Sequence, residues 1–198
     1  MTLTDKIAMG SGIAALAVAL AVFIVRLMRV RAGVAGQKKR VSAALRRFAA
    51  PRGYRVIDGA RFIMGPLTGW ADHLLIGVFG VLLVYDLSIQ GEYYGKPADE
   101  KWTVAASGGK RWAVGNPLLE AGKCEGRVRT LLKDAGIKIP VERAVVIACP
   151  LKGSVSHIPS EDVMLLHKLG NYLGKEKFET DRGIDVEKVD QVLSAAKK

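Results

Sequence analysis

The hydrophobic pattern changes its period several times along the chain, and each change marks an element. Residues 7–25 (IAMGSGIAALAVALAVFIV) form nineteen positions without a charge. As a helix they span roughly 28 Å, the thickness of a bilayer core, and predict a transmembrane segment. A cleaved signal peptide is the competing reading, since Ala17-x-Ala19 and Ala19-x-Ala21 offer small-residue cleavage sites. Against it, the start is nearly neutral, and cations follow the apolar run instead of preceding it. Over residues 37–50 the spacing becomes amphipathic, with Val41, Ala44, Leu45 and Phe48 on one stripe, Lys38, Arg46 and Arg47 outside, and Pro51 as a stop.

Period-two or continuous apolar runs follow at residues 54–57, 71–76 and 81–87, each predicting a strand. A three-residue loop of Val78, Phe79 and Gly80, with Gly80 left-handed, pairs Gly77 with Val81 and sets Asp72 opposite Asp86. Shorter β-like runs at 101–105 and 111–114 flank the turn Ser107-Gly108-Gly109. Asn116 and Pro117 then open a helix that stops at Gly136, with Gly122 and Gly126 weakening its middle. Residues 143–149 (RAVVIAC) read as a buried strand, and helices are expected at 160–173 and 185–196. The order is helix, three-strand antiparallel meander, helix, strand and helical C-terminal tail, the skeleton of a small α/β sandwich. The corresponding divisions are 1–30 for the anchor and its basic flank, 31–150 for the domain, and 151–198 for a helical extension.

Composition sharpens this picture chiefly through charge. The 198 residues hold 30 Lys and Arg against 19 Asp and Glu, a net +11, with 49% hydrophobic residues. So apolar a chain excludes a disordered polyelectrolyte. Residues 26–55 carry ten of the cations and no acid, whereas residues 56–198 balance 19 bases against 18 acids. The basicity is therefore a collar beside the apolar run. Arg26, Arg29, Arg31, Lys38, Lys39 and Arg40 place the C-terminal side in the cytoplasm by the positive-inside rule and attract anionic lipid headgroups. Cys124 and Cys149 are too few and too far apart for a disulfide framework, consistent with a reducing compartment.

The candidate chemistry is a carboxylate pair. Metal-dependent phosphodiester cleavage needs a divalent cation on oxygen ligands and a group that positions the attacking water. Asp72 and Asp86 are the pair, and the same-face position after Asp86 is Ser88, whose hydroxyl brings no charge. His73 reads as a partner to a nearby carboxylate or backbone group. Trp70, Trp102, Trp112, Tyr93 and Tyr94, interleaved with Lys110 and Arg111, suit either sheet packing or base stacking. Asp58-Gly59 reads as a turn.

Over residues 36–149 these motifs resemble the NERD (nuclease-related domain) family of the PD-(D/E)xK nuclease superfamily. The likeness is carried by Gly36-Gln37 opening a helix, by Ala71-Asp72-His73 with the Gly77 to Gly80 turn, and by Val84-Tyr85-Asp86-Leu87-Ser88. Gly91, Gly95, Trp102 and Asn116-Pro117-Leu118 continue the series. The resemblance implies a restriction-endonuclease-like core and a site using Mg2+ or Mn2+, with Asp72 and Asp86 as ligands. It also marks departures. Gln37 stands where the family has a helix Glu, Asp86 where it has the longer Glu, and Ser88 where it has Lys. Lys96 and Lys101, close downstream, are candidates for a migrated lysine.

Three function classes follow. The first is a membrane-anchored, catalytically impaired NERD domain that binds nucleic acid or a nucleotide. The second is an active tethered nuclease in DNA processing. The third is a protein-interaction module on the inner membrane face, its partner unspecified by the sequence.

Overall fold

A computed structural model of the chain describes residues 33–64, 67–106, 108–149 and 154–197, together with Val18, residues 20–23 and Val25. Most of the apolar run at 7–25, and the collar residues Arg26, Arg29 and Arg31, lie outside the described residues. Among the described residues no helix is long and apolar enough to cross a membrane.

The first helix, α1 (Val34–Ala49), buries a stripe of Gln37, Val41, Leu45 and Ala49 and ends in a single tight turn at Ala50–Arg52 that contains Pro51. The expected meander follows as β1 (Arg55–Met64), β2 (Leu67–Gly77) and β3 (Gly80–Leu87), antiparallel in sequence order. Two features differ from expectation. Asp58-Gly59 does not end β1. Gly59 takes the left-handed φ of 62° that an Asp-Gly pair favours, but the strand continues through it to Met64. The β2–β3 loop is two residues, Val78 and Phe79, because Gly77 pairs with Gly80. Gly80 closes it at φ 130°, where an added Cβ would meet the Pro140 carbonyl oxygen at 2.3 Å. The register is thus one residue away from the one that set Asp72 opposite Asp86.

After β3 the chain builds a second sheet from β4 (Glu92–Tyr94), β5 (Lys101–Ala105) and β6 (Arg111–Gly115). It returns through α2 (Pro117–Asp134), whose first turn is capped by the Asn116 side chain accepting from the Leu118 N–H at 2.9 Å. Then β7 (Val141–Ile147) lies parallel to β3. A two-residue strand, β8 (Val155–Ser156), completes the second sheet in the order β6-β5-β4-β8.

The stretch expected as a helix over 160–173 is instead β9 (Val163–Leu165), a tight turn at Leu166–Lys168 and a short helix α3 (Leu169–Leu173). Its pattern Val163-Met164-Leu165 is a continuous apolar run, and β9 adds to the main sheet beside β7, giving the order β1-β2-β3-β7-β9. The last helix, α4 (Val186–Ala196), starts on the cap Asp185 as expected.

The main sheet is covered on both faces. Val41 and Leu45 of α1, with Leu169, Tyr172 and Leu173 of α3 and Phe178, pack on Leu75, Leu82, Val84, Ala144 and Val146. On the other face Leu118, Val128 and Leu132 of α2 and Val189 and Leu193 of α4 cover Leu74, Ile76, Leu83 and Val145, and Tyr93 and Trp102 of the second sheet join them. This three-layer α/β/α arrangement is the mixed fold predicted, with residues 154–197 built into both of its cores.

Candidate functional site

The site lies where the β2–β3 ladder ends. Paired residues run from Gly77↔Gly80 to His73↔Val84 and stop there. Beyond that rung the Asp86 N–H donates to Asp72 Oδ2 at 2.9 Å, so a side chain replaces the backbone carbonyl that a continued ladder would supply. On the other flank of β2, Gly59 in its left-handed conformation falls opposite Asp72. Asp72 therefore sits at a point where both neighbouring strands deviate, and its carboxylate is spent on holding them.

The second oxygen of Asp72, Oδ1, takes an ion pair and hydrogen bond from Lys38 Nζ. Lys38 comes from the second turn of α1. Its side chain is half-exposed, while that of Asp72 is 4% exposed, so the ammonium caps the carboxylate from the solvent side. Lys38 and Arg46, assigned from the sequence to the outer face of the helix, in fact flank its buried stripe and reach down to the sheet.

A second chain of contacts runs beside this one. His73, itself buried, bridges two carboxylates: Nδ1 lies 2.6 Å from Asp58 Oδ1 and Nε2 lies 2.8 Å from Asp86 Oδ2. Asp58 Oδ2 accepts from Ser42 Oγ at 2.9 Å and from Arg46 at 2.7 Å, both on α1. The Asp58 carbonyl accepts from Lys197 Nζ at 2.6 Å, tying the end of the chain to the same place. Asp86 Oδ1 is buried with no hydrogen-bond partner among the described residues.

The charge states follow from these contacts. Burial alone would lower the pKa of His73, but Asp86 and then Asp58 more than offset it, and the imidazole is raised above its ordinary value. The doubly protonated ring donates to both carboxylates. For Asp86, desolvation outweighs the help of His73 and holds its carboxyl above the usual range, with the nearby Asp72 pushing the same way. Asp58, where burial would also raise the value, is instead brought below the usual range by Arg46, His73 and Ser42 acting together.

The structure thus brings Asp72 and Asp86 together, though through a backbone N–H and His73 instead of a facing pair. Gln37 is buried on the inner stripe of α1, one residue before Lys38. Ser88 lies half-buried just past the end of β3. Lys96 is exposed on the loop after β4, and Lys101 is exposed at the start of β5, both belonging to the second sheet. The cation delivered to Asp72 is Lys38. Sequence reasoning missed Lys38 and Asp58. Lys38 directly follows the helix position expected to carry an acid, and Asp58 was masked by the turn character of Asp-Gly.

The donor set does not fit a divalent cation. Of the four carboxylate oxygens, Asp72 Oδ1 holds the ammonium, Asp72 Oδ2 the Asp86 N–H, and Asp86 Oδ2 the imidazole. Asp86 carries no exposed side-chain surface and its ionised form is disfavoured by burial. Among the described residues no group of three or more His, Cys, Asp and Glu side chains is arranged to hold a metal ion.

Helix, antiparallel meander, helix and parallel strand, with Asp72 and Asp86 at the open end of the meander, are the parts of a nuclease-related core. The family model for NERD, nuclease-related domain, matches residues 32–148, more than half of the chain. The chain therefore belongs to the NERD family, of the PD-(D/E)xK kind. No curated protein and no solved structure matches it.

Proposed function

We propose that this is a membrane-tethered NERD domain, facing the cytoplasm, that keeps the nuclease-related fold for binding nucleic acid or a nucleotide and does not cleave efficiently. The observation that carries the catalytic part is the consumption of the carboxylate pair by Lys38, His73 and the Asp86 N–H. The positioning lysine expected two residues after Asp86 is Ser88, and loss of such a group costs roughly 10²- to 10⁴-fold in rate. Mg2+ or Mn2+ belongs to this site only in a form from which Lys38 has been moved.

The tether rests on the nineteen uncharged residues at 7–25 and the cations that follow them. Lys39, Arg40 and Arg47 are exposed on α1, which begins directly after that collar, and they suit anionic headgroups. Nucleic-acid binding draws support from Tyr94 and Trp112 of the second sheet, each more than two-fifths exposed, with exposed Lys101, Lys110 and Arg111 nearby in the chain. Buried Trp102 and Tyr93 are sheet-packing residues instead.

The test is a salt titration of the full chain in detergent micelles with labelled single-stranded and duplex DNA, with Mg2+ added to parallel samples. The reading predicts binding that weakens as salt rises and leaves the DNA intact. No binding at low salt removes the nucleic-acid role and leaves a protein-interaction module. Extraction of the chain from membranes by alkaline carbonate would remove the tether.

A further inference from the structure

A carboxylate pair inside a nuclease-related core creates an electrostatic need for a cation, whatever that cation is. Asp72 has a nearly buried side chain and is fixed in place by the Asp86 N–H at 2.9 Å, so it cannot turn to solvent for its counter-charge. Asp86 lies on the same strand end, wholly buried, with one oxygen on His73 and the other without a hydrogen bond among the described residues. The cation supplied is an ammonium at the end of a half-exposed stem. It reaches Asp72 from α1, the helix that also sends Ser42 and Arg46 to Asp58.

We propose that Lys38 is a tethered monovalent cation standing in the place of a divalent metal at Asp72 and Asp86, and that removing its charge uncovers a divalent-cation site there. This rests on reading the carboxylate pair as the closed remnant of a nuclease site. Three features support the substitution. The ammonium meets the carboxylate from the side open to solvent, the side by which a hydrated cation would enter. Its single charge and tetrahedral donors satisfy one oxygen of Asp72 but leave Asp86 Oδ1 unpaired, the mismatch expected when one charge replaces two. The remaining anchors of α1 to this region, Val41 and Leu45 in the core and Arg46 on Asp58, do not involve Lys38, so its loss leaves the helix in place.

The test is equilibrium binding of Mn2+ to the full chain in micelles, read from the paramagnetic signal of free Mn2+. Wild type, Lys38→Met, Lys38→Arg and the double variant Lys38→Met/Asp72→Asn are compared. Lys38→Met keeps the stem and removes the charge. It is expected to bind Mn2+ about tenfold or more tighter than wild type, because a like charge in contact with the site repels the metal. Lys38→Arg should behave as wild type, and the double variant should lose the gain. Equal affinity of wild type and Lys38→Met overturns the proposal, as does a gain that survives Asp72→Asn. Lys38→Gln gives the same comparison should Lys38→Met fail to fold. Mn2+ binding gained without DNA cleavage leaves both readings standing. Asp72-dependent cleavage by wild type overturns the proposed function, whereas equal affinities overturn only this inference.

Discussion

Lys38 stands thirty-four residues before Asp72 in the chain, and the two meet as an ion pair that joins the second turn of α1 to the open end of the β2–β3 hairpin. The pair is asymmetric. The ammonium is half in water, so its own contribution to stability is small, as for exposed pairs in general. The carboxylate is buried and its other oxygen holds the Asp86 N–H, so the structural burden falls on Asp72.

From this asymmetry Asp72→Ala should destabilise the fold by about 1–3 kcal/mol, the cost of leaving the Asp86 N–H unsatisfied. Asp72→Asn should cost less, since its amide oxygen can still accept that bond. Urea denaturation of the two variants gives the comparison. Equal losses would mean that the ion pair, and not the N–H bond, carries the stability.

His73 makes stability depend on pH in a definite direction. Its folded pKa lies above the ordinary 6.5, so the stabilisation is fully present below about pH 6.5 and is lost as pH rises through the folded value. Asp86, also raised, acts in the same sense from its ordinary 3.8 upward, and as a coupled pair the two titrate together. Asp58 acts oppositely, since its depressed value gives stability above 3.8 that is lost only in acid. Arg46 and Lys38 face the cluster from α1 and stay charged throughout. Melting temperatures from pH 6 to 9 should therefore fall for wild type and stay flatter for His73→Gln. A wild-type profile that rises over that range would contradict the bridged imidazolium.

Asn116 joins the second sheet to α2. Its Oδ1 caps the helix, and its Nδ2 donates to the carbonyls of Pro97 at 2.9 Å and Asp99 at 2.7 Å, all at a buried position. Asn116→Ala should cost at least about 2 kcal/mol, combining a lost cap with two orphaned carbonyls. Asn116→Asp should retain the cap and lose the carbonyl bonds, falling between.

The C-terminal portion is structural. Phe178 is fully buried, its ring 5.0 Å from Phe79 and 5.2 Å from Tyr172, and the Tyr54 hydroxyl donates to its carbonyl at 3.1 Å. Phe178→Ala should therefore destabilise by about 3–5 kcal/mol, measured in the same urea series. A change under 1 kcal/mol would make residues 154–197 a detachable extension.

The elements governed by local rules were legible in the sequence: α1 from its stripe, α2 from Asn116-Pro117, β5 at its observed bounds, and α4 from Asp185. What failed depended on partners distant in sequence. Residues 163–165 are a strand only because β7 offers an edge, and the hairpin register turned on whether Gly80 belonged to the loop or the strand. At the site, Asp72 and the carboxylate-partner role of His73 were readable from local sequence. Lys38 was not, because helical periodicity placed it on the outer face, and the length of its side chain let it return to the sheet. Asp58 was hidden because Gly59 carries a turn conformation inside a continuing strand.

The most direct measurement is metal-dependent cleavage by the intact chain. Wild type and Asp72→Ala are incubated with plasmid and single-stranded DNA in Mg2+ or Mn2+. A site closed by Lys38 predicts no cleavage by wild type beyond that of Asp72→Ala. Cleavage by wild type that requires the metal and disappears in Asp72→Ala would contradict it.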